Sequence, residues 1–283
     1  MSEPLDLDHL RGWIGRSESA SDLVTPQLVR GLRATLFMDP GKPVRGDVAP
    51  LTTHWCLAQP VAPMSALGPD GHPTRGGFLP PVPLPRRMWA GGLLEFQDRI
   101  RVGDEVTRTS KITDVTLKTG STGTLCFVNV AHTIETARGV AIRERQDIVY
   151  REAASPSVAA PAAPAAAAPG QHRRTHLADP VLLFRYSALT FNGHRIHYDR
   201  DYVTKEEGYP GLIVHGPLQA SLLVEYAATL RGDTSPKTFN YRGVNPLFDG
   251  AEFSLNASES GAGLDVWSAN HAGAPTMKGT ANW

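Results

Sequence analysis

Residues 154–170 read ASPSVAAPAAPAAAAPG, and no other stretch constrains the architecture as strongly. Proline lacks the amide hydrogen that a helix interior needs, and its ring clashes with the preceding turn. The run also has no polar–apolar period that could mark a packed face, and its prolines favour an extended, semi-rigid spacer. The 283-residue chain therefore divides into an N-terminal unit over 1–152, a Pro/Ala-rich linker over 153–172 and a C-terminal unit over 173–283. Each unit is long enough to bury a core of its own.

Lys+Arg and Asp+Glu number 28 each. A neutral chain has no long-range field to gather nucleic acid or an anionic membrane, and neither is expected as a partner. The opening MSEPLDLDHLRGWIG is acidic and lacks the apolar run of a secretory signal. No stretch approaches the roughly 20 apolar residues that span a bilayer. These features point to a cytoplasmic protein. Cys56 and Cys126 are expected to be reduced and buried, since two isolated cysteines without ligand-like neighbours do not mark a metal site.

In the N-terminal unit the pattern predicts helices over 6–14 and 26–36, the second with Thr25 as N-cap and Pro26 in its first turn. A Pro/Gly-rich loop covers 62–87. Runs rich in Val, Ile and Thr predict strands at 92–96, 105–115, 124–135 and 141–150. In the C-terminal unit a strand is expected at 181–186 and a long helix at 216–230. Strands follow at 238–244, 251–258, 264–270 and 276–282. Leu218, Leu222, Leu223 and Tyr226, extended by Ala220, Ala227 and Leu230, form an apolar stripe that should bury most of that helix. A long apolar helix followed by consecutive strands implies an α+β layer, a sheet wrapped over a central helix.

The chemistry concentrates in FRYSALTFNGHRIHYD (184–199), where Asn192, His194 and His197 fall within six residues. Some fifteen residues on, His215-Gly216-Pro217 opens the long helix, with Pro217 suited to its first turn. The helix N-terminus and the Gly216 N–H could polarise a thioester carbonyl. Water addition to an enoyl thioester needs this, because the carbonyl must carry enolate charge while a base deprotonates water. His197 suits the base, since an ordinary imidazole exchanges protons near pH 7. Asn192 cannot act as a base; it either orients a water or forms an Asx turn. His194 either joins the chemistry or shapes the loop through a backbone carbonyl.

Arg195 has three uses open to it: clamping a free carboxylate on a dicarboxylic acyl group, holding a nearby acidic residue, or binding a CoA phosphate. Arg242, in Tyr241-Arg242-Gly243, is either a CoA or acyl contact or a solvent-exposed strand charge. Arg86 and Arg87, beside Met88 and Trp89, either line an acyl or CoA channel or stay solvated. His215 reads as structural. His194 and His197 have His-x-x-His spacing, but no third ligand follows by spacing, so no metal is expected.

The 184–199 segment is similar to the hydratase motif of MaoC-like enoyl-CoA hydratases. That motif runs Tyr, a few residues, Ser-Gly-Asp, one residue, Asn-Pro, an aliphatic residue and His. Tyr186, Thr190, Phe191, Asn192, His194, Arg195, Ile196 and His197 take those places in turn. LPRRMWAGGLLEF and RVGDEVTRTSKI resemble the degenerate first hot dog of the subgroup containing hydroxyacyl-thioester dehydratase type 2 and mesaconyl-C4-CoA hydratase; YRGVNPLF (241–248) resembles the same subgroup.

The resemblance implies a double hot dog: two halves packed as a pseudo-dimer, each an antiparallel sheet around a central helix. Catalysis would belong to the C-terminal half, with the N-terminal half supplying the acyl-pocket wall and part of the CoA groove. It implies a hydro-lyase acting on an acyl-CoA substrate, with R-type geometry and no cofactor beyond the CoA carrier. The chain departs where the family's catalytic Asp is Asn192 and its Asn-Pro is His194-Arg195. His197 then acts as base alone, or His194 replaces the carboxylate. A short branched dicarboxylic thioester (mesaconyl-C4-CoA or itaconyl-CoA) and a fatty 3-hydroxyacyl thioester both remain candidate substrates. A hot-dog thioesterase and a non-catalytic acyl-CoA-binding protein are the rival functions. A homo-oligomer of double hot dogs stays open.

Overall fold

The strand-forming runs are β1 (Ser17–Leu23), β2 (Arg86–Phe96), β3 (Glu105–Gly120), β4 (Gly123–Thr136), β5 (Gly139–Arg151), β6 (His172–Leu177), β7 (Thr238–Gly243), β8 (Glu252–Ser260), β9 (Gly263–Ala269) and β10 (Pro275–Asn282). In the computed structural model, which describes residues 5–120, 123–152 and 164–283, they pair into one antiparallel sheet. Its order is β1-β3-β4-β5-β2-β7-β10-β9-β8-β6. The first five strands run 1-3-4-5-2 from edge to centre, and β6 to β10 repeat that order from the opposite edge. The halves join where β2 pairs with β7, placing Leu94 opposite Phe239 and Gly92 opposite Tyr241.

The helices are α1 (Leu7–Arg11), α2 (Pro26–Thr35), α3 (Pro180–Leu189), α4 (Arg200–Lys205) and α5 (Gly216–Thr229). α2 and α3 are counterparts. Each follows the first strand of its half after two residues and begins on proline. Thr25 Oγ1 accepts from Leu28 N–H at 3.1 Å, and Asp179 Oδ1 accepts from Leu182 N–H at 2.8 Å, so each helix has an N-cap of the expected type. Two residues beyond each helix stands a phenylalanine in the left-handed region, Phe37 at φ 58° and Phe191 at φ 48°. That conformation is uncommon outside glycine and asparagine.

α3 corrects the sequence expectation of a strand over 181–186. Val181, Phe184 and Tyr186 carry β-propensity, but the Asp179 cap and Pro180 start the helix. Leu182, Leu183 and Tyr186 then bury one helical face.

α5 is the central helix of the C-terminal half, packed against β8, β9 and β10 and reaching β2 of the other half. Leu218, Leu222, Leu223, Val224 and Tyr226 are buried, each stabilising the fold by about 1.5–3 kcal/mol. Its one interior amide is satisfied: Gln219 Oε1 accepts from Ser268 Oγ at 2.9 Å and from Thr276 Oγ1 at 2.8 Å. Between α2 and β2 in the N-terminal half, no described residues form a comparable helix. A four-residue 3₁₀ turn, Thr53–Cys56, is buried there instead. Trp55 of that turn lines the cavity described below. Cys56 and Cys126 are free and buried, and burial pushes their thiols up to about 12 and about 11.

Residues 153–163, most of the expected linker, lie outside the described residues. Residues 164–170 run without regular structure along the C-terminal half, where Ala167 N–H donates to Gly273 O at 3.0 Å. β6 begins at His172, inside the range read as linker. Among the described residues, no helix is long and apolar enough to cross a membrane.

Candidate active site

A cavity of about 930 Å³ opens where the halves meet. Trp55 and Trp89 of the N-terminal half form one wall, and Tyr186 and Ser187 of α3 with Asn192 beyond it form another, with Pro217 at the start of α5. Phe184, Phe191 and Tyr198 are exposed at its rim. The lining is mostly apolar, as suits an acyl chain with a few placed polar groups.

His197 ends the 3₁₀ turn Arg195–His197 and is 7% exposed. Its Nδ1 lies 2.7 Å from the Ile213 carbonyl, which can only accept, so Nδ1 carries the hydrogen and Nε2 the lone pair. Its ring stacks on His215 with centroids 3.6 Å apart. Burial pulls His197 down to about 4, against the Ile213 hydrogen bond and with help from His72. At neutral pH it is therefore an uncharged base. His215, fully buried, holds Ser187 Oγ at 2.8 Å through Nε2 and sits directly before Gly216. Gly216 heads α5, and its N–H has no acceptor among the described residues.

Asn192 lines the cavity, with Oδ1 accepting the His194 N–H at 3.0 Å. This is the Asx turn, and it leaves Nδ2 as a donor. His194 stands 5.4 Å from the His197 ring in T-shaped contact. Burial pushes it down to about 2, with the charges of His72, His197 and Arg87 in the same direction.

Two neighbours were missed in the sequence. Asp70 and His72 come from the Pro/Gly-rich loop of the N-terminal half. Their only trace was a titratable pair two residues apart in Gly68-Pro-Asp-Gly-His-Pro73. His72 Nδ1 lies 3.1 Å from Asp70 Oδ2, and its ring packs 4.1 Å from that of His194. Burial lowers the His72 pKa, partly offset by the Asp70 hydrogen bond. Burial alone would raise the Asp70 carboxyl, but the His72 hydrogen bond and charge outweigh it and hold it well below the usual range. Asp70, His72 and His194 each place one ligand atom within 4.8 Å of the others. A carboxylate with two imidazoles is a set that a divalent transition metal could use.

The loop docks through glycines. Gly71 has φ 86°, and a Cβ there would lie 1.9 Å from Gly193 O. Asp70 O accepts from Arg195 N–H at 2.9 Å. Gly71→Ala is expected to cost at least about 2 kcal/mol and most of the activity, because it combines left-handed strain with a backbone clash. Denaturant unfolding and turnover check this; an unchanged midpoint with full activity would contradict it.

The guanidinium of Arg195 is engaged on three sides. Nε and Nη2 donate to Asp199 Oδ2 at 3.0 and 2.7 Å, Nη1 donates to Pro69 O at 2.9 Å, and the group lies 4.2 Å over the Tyr202 ring. Of its three uses, the structure displays the hold on an acidic residue. Arg242 is not brought to this cavity. Neighbouring strand residues face opposite ways, so Tyr241 is buried inward while Arg242 lies in an outer groove of about 540 Å³ with Trp267 and Lys278. Arg86 pairs with Glu207, and Arg87 is close enough to depress the basicity of His72 and His194.

This fold is shared by solved structures. A MaoC-like dehydratase from Phytophthora capsici superposes with TM-score 0.70 at 14% identity, covering 99% of each chain. A Mycobacterium tuberculosis protein described as having a double hotdog fold superposes with TM-score 0.54 at 14% identity, covering 95% of each. The molecule is thus a double hot dog.

At the level of sequence the match is narrower. The family model for hydroxyacyl-thioester dehydratase type 2 matches residues 52–249, and the chain belongs to that family. It is 44% identical over 273 residues to the mesaconyl-C(4)-CoA hydratase of Chloroflexus aurantiacus, covering 95% of both chains. It is 38% identical over 93 residues, 32% of this chain and 31% of the other, to the mitochondrial hydroxyacyl-thioester dehydratase type 2 of Schizosaccharomyces pombe. The chain is a hydro-lyase, adding water to an enoyl thioester or removing it from a hydroxyacyl one.

Proposed function

We propose that this hydro-lyase hydrates a short branched dicarboxylic enoyl-CoA, mesaconyl-C4-CoA, with His197 as its base. One observation carries the assignment of roles: His197 offers a neutral, oriented Nε2 beside the N-terminus of α5. The thioester carbonyl is held by the Gly216 N–H and the positive end of that helix. Asn192 Nδ2 donates to the attacking water. Its oxygen bonds to the β-carbon as His197 Nε2 takes one proton, the π pair moves onto the carbonyl as enolate, and His197 returns a proton to the α-carbon. Dehydration runs the same steps backwards. No electrons leave the system and the base is an imidazole, so the reaction as written calls for neither redox cofactor nor metal. The Arg242 groove lies outside these steps.

The near-full-length likeness to a mesaconyl-C(4)-CoA hydratase favours that substrate over a fatty one, since the likeness to the yeast dehydratase covers about a third of the chain. Loss of enoyl-thioester absorbance should give a kcat/KM for mesaconyl-C4-CoA at least about 10-fold above those for crotonyl-CoA and a long-chain enoyl-CoA. A preference for the long chain would overturn this.

Arg195 positions the loop in this reading. Arg195→Ala should reduce kcat/KM for mesaconyl-C4-CoA and crotonyl-CoA alike, because its donors already serve Asp199 and Pro69. A KM rise confined to the dicarboxylic substrate would show that the fork reaches the substrate carboxylate.

A further inference from the structure

We infer that His72, carried in by the N-terminal half and oriented by Asp70, is a second catalytic residue that accepts the other hydrogen of the attacking water. The inference rests on the hydration mechanism above. The resembling motif has a carboxylate where this chain has Asn192. A water fixed for attack needs acceptors for both hydrogens. His197 Nε2 is one. Asn192 is the poorer choice for the other, because its Oδ1 is a weakly basic amide oxygen that already accepts the His194 N–H, and Nδ2 only donates.

The hydroxyls and amide of that wall, on Ser187, Thr190, Tyr186, Tyr198 and Gln59, are far less basic acceptors than an imidazole nitrogen. Ser187 Oγ is bonded to His215, the Thr190 hydroxyl donates to Tyr186 O at 2.7 Å, and Arg195 has no lone pair to offer. His72 lines the same cavity. Its Nδ1 faces the Asp70 carboxylate at 3.1 Å, so Nδ1 bears the hydrogen and Nε2 the lone pair. A buried carboxylate sets an imidazole's tautomer in this way in other enzymes.

The placement is rigid. Gly71 and Gly193 bring the two loops to backbone contact, Asp70 O holds Arg195 N–H, and the His194 ring backs that of His72. The His194 ring packs between those of His72 and His197 and buttresses both. Asp70 is a positioning residue acting through His72.

In the step itself, the water oxygen bonds to the β-carbon. One O–H proton passes to His197 Nε2 and the other stays on the new hydroxyl, hydrogen-bonded to His72 Nε2. The π pair becomes the enolate that His197 then protonates at the α-carbon. Nothing is oxidised or reduced. The active site is then incomplete without the N-terminal half.

The test uses the full chain with mesaconyl-C4-CoA and crotonyl-CoA, comparing wild type with His72→Ala, His72→Gln, Asp70→Asn and His197→Ala. His72→Ala should lower kcat about 100-fold with KM within about threefold. His72→Gln, whose side-chain oxygen still accepts, should recover about a tenth of wild-type kcat, which a simple folding defect would not allow. Asp70→Asn should fall between, since the ring stays but its tautomer is no longer fixed. A kcat for His72→Ala within about threefold of wild type, or a loss expressed only in KM, overturns the inference while leaving the His197 reading intact. Loss of wild-type activity to a chelator, with recovery on adding Zn²⁺, overturns it too, because an ion on Asp70, His72 and His194 would occupy the lone pair. Absence of wild-type turnover with both thioesters overturns the inference and the underlying reading together.

Discussion

Replacing His197 with alanine should lower kcat by about 10³-fold and leave acyl-CoA affinity within about threefold. His197 is the base of the proposed reaction, its tautomer fixed by the Ile213 carbonyl and its ring by the stack on His215. The cavity that holds the acyl group is lined by other side chains, so binding should outlast the chemistry. Alanine also opens a gap against His215, so His197→Gln, which fills more of that space without an imidazole, should be as inactive. Steady-state turnover and calorimetric titration with acyl-CoA separate the two effects. An alanine variant within tenfold of wild-type kcat would remove His197 from the mechanism.

Acidification should unfold the protein well before an ordinary domain would yield. His194 is pushed down to about 2 and His197 to about 4, and the fully buried His215 lies well below its ordinary value; burial is the main cause in each case. In the unfolded chain each titrates near ~6.5. The unfolded state therefore binds more protons, and this part of the stability is present above about pH 6.5 and lost as the pH falls. Each neutral histidine contributes a slope of up to about 1.4 kcal/mol per pH unit, or about 4 kcal/mol for the three. Domains are stable by about 5–15 kcal/mol, so two to three units of acidification should be enough. Urea midpoints at a series of pH values would show the fall, and His215→Gln should flatten it by about one proton. A midpoint unchanged between neutral pH and about pH 5 would contradict it. Activity would then be lost at acid pH by unfolding before His197 itself titrates.

The sequence disclosed the parts whose physics is local or periodic. The stripe of α5, the Thr25–Pro26 start of α2 and the alternating runs of β3, β4 and β5 were readable, as was the cluster of Asn192, His194 and His197. The two sheet edges were not. β1 reads SESASDL with every residue exposed, and β6 reads HRRTHL and is nearly as exposed, so neither has the apolar alternation that marks a strand. Polar edges of this kind also discourage pairing with a second molecule.

α3 was misread because its aromatic and β-branched residues outweighed a capped proline start. Its likeness to α2, from Leu23-Val-Thr-Pro to Leu177-Ala-Asp-Pro, becomes visible only when the two halves are superposed by topology. Asp70 and His72 escaped for a different reason. They are more than a hundred residues from His197 in the chain, and the loop that carries them has no period. What brings them to the site is a glycine–glycine backbone contact between halves, which spacing alone does not encode. Arg242 shows the converse, since its strand was found but the face it occupies depends on register.

The most direct test of hydration against its rivals follows mesaconyl-C4-CoA by mass spectrometry in H₂¹⁸O, with a thiol reagent present. Hydration predicts an intact thioester heavier by one labelled water, with ¹⁸O in the new hydroxyl and no free CoA. Release of CoA with ¹⁸O in the liberated carboxylate would make the protein a thioesterase, and an unchanged thioester bound tightly would make it an acyl-CoA-binding protein; either would contradict the account.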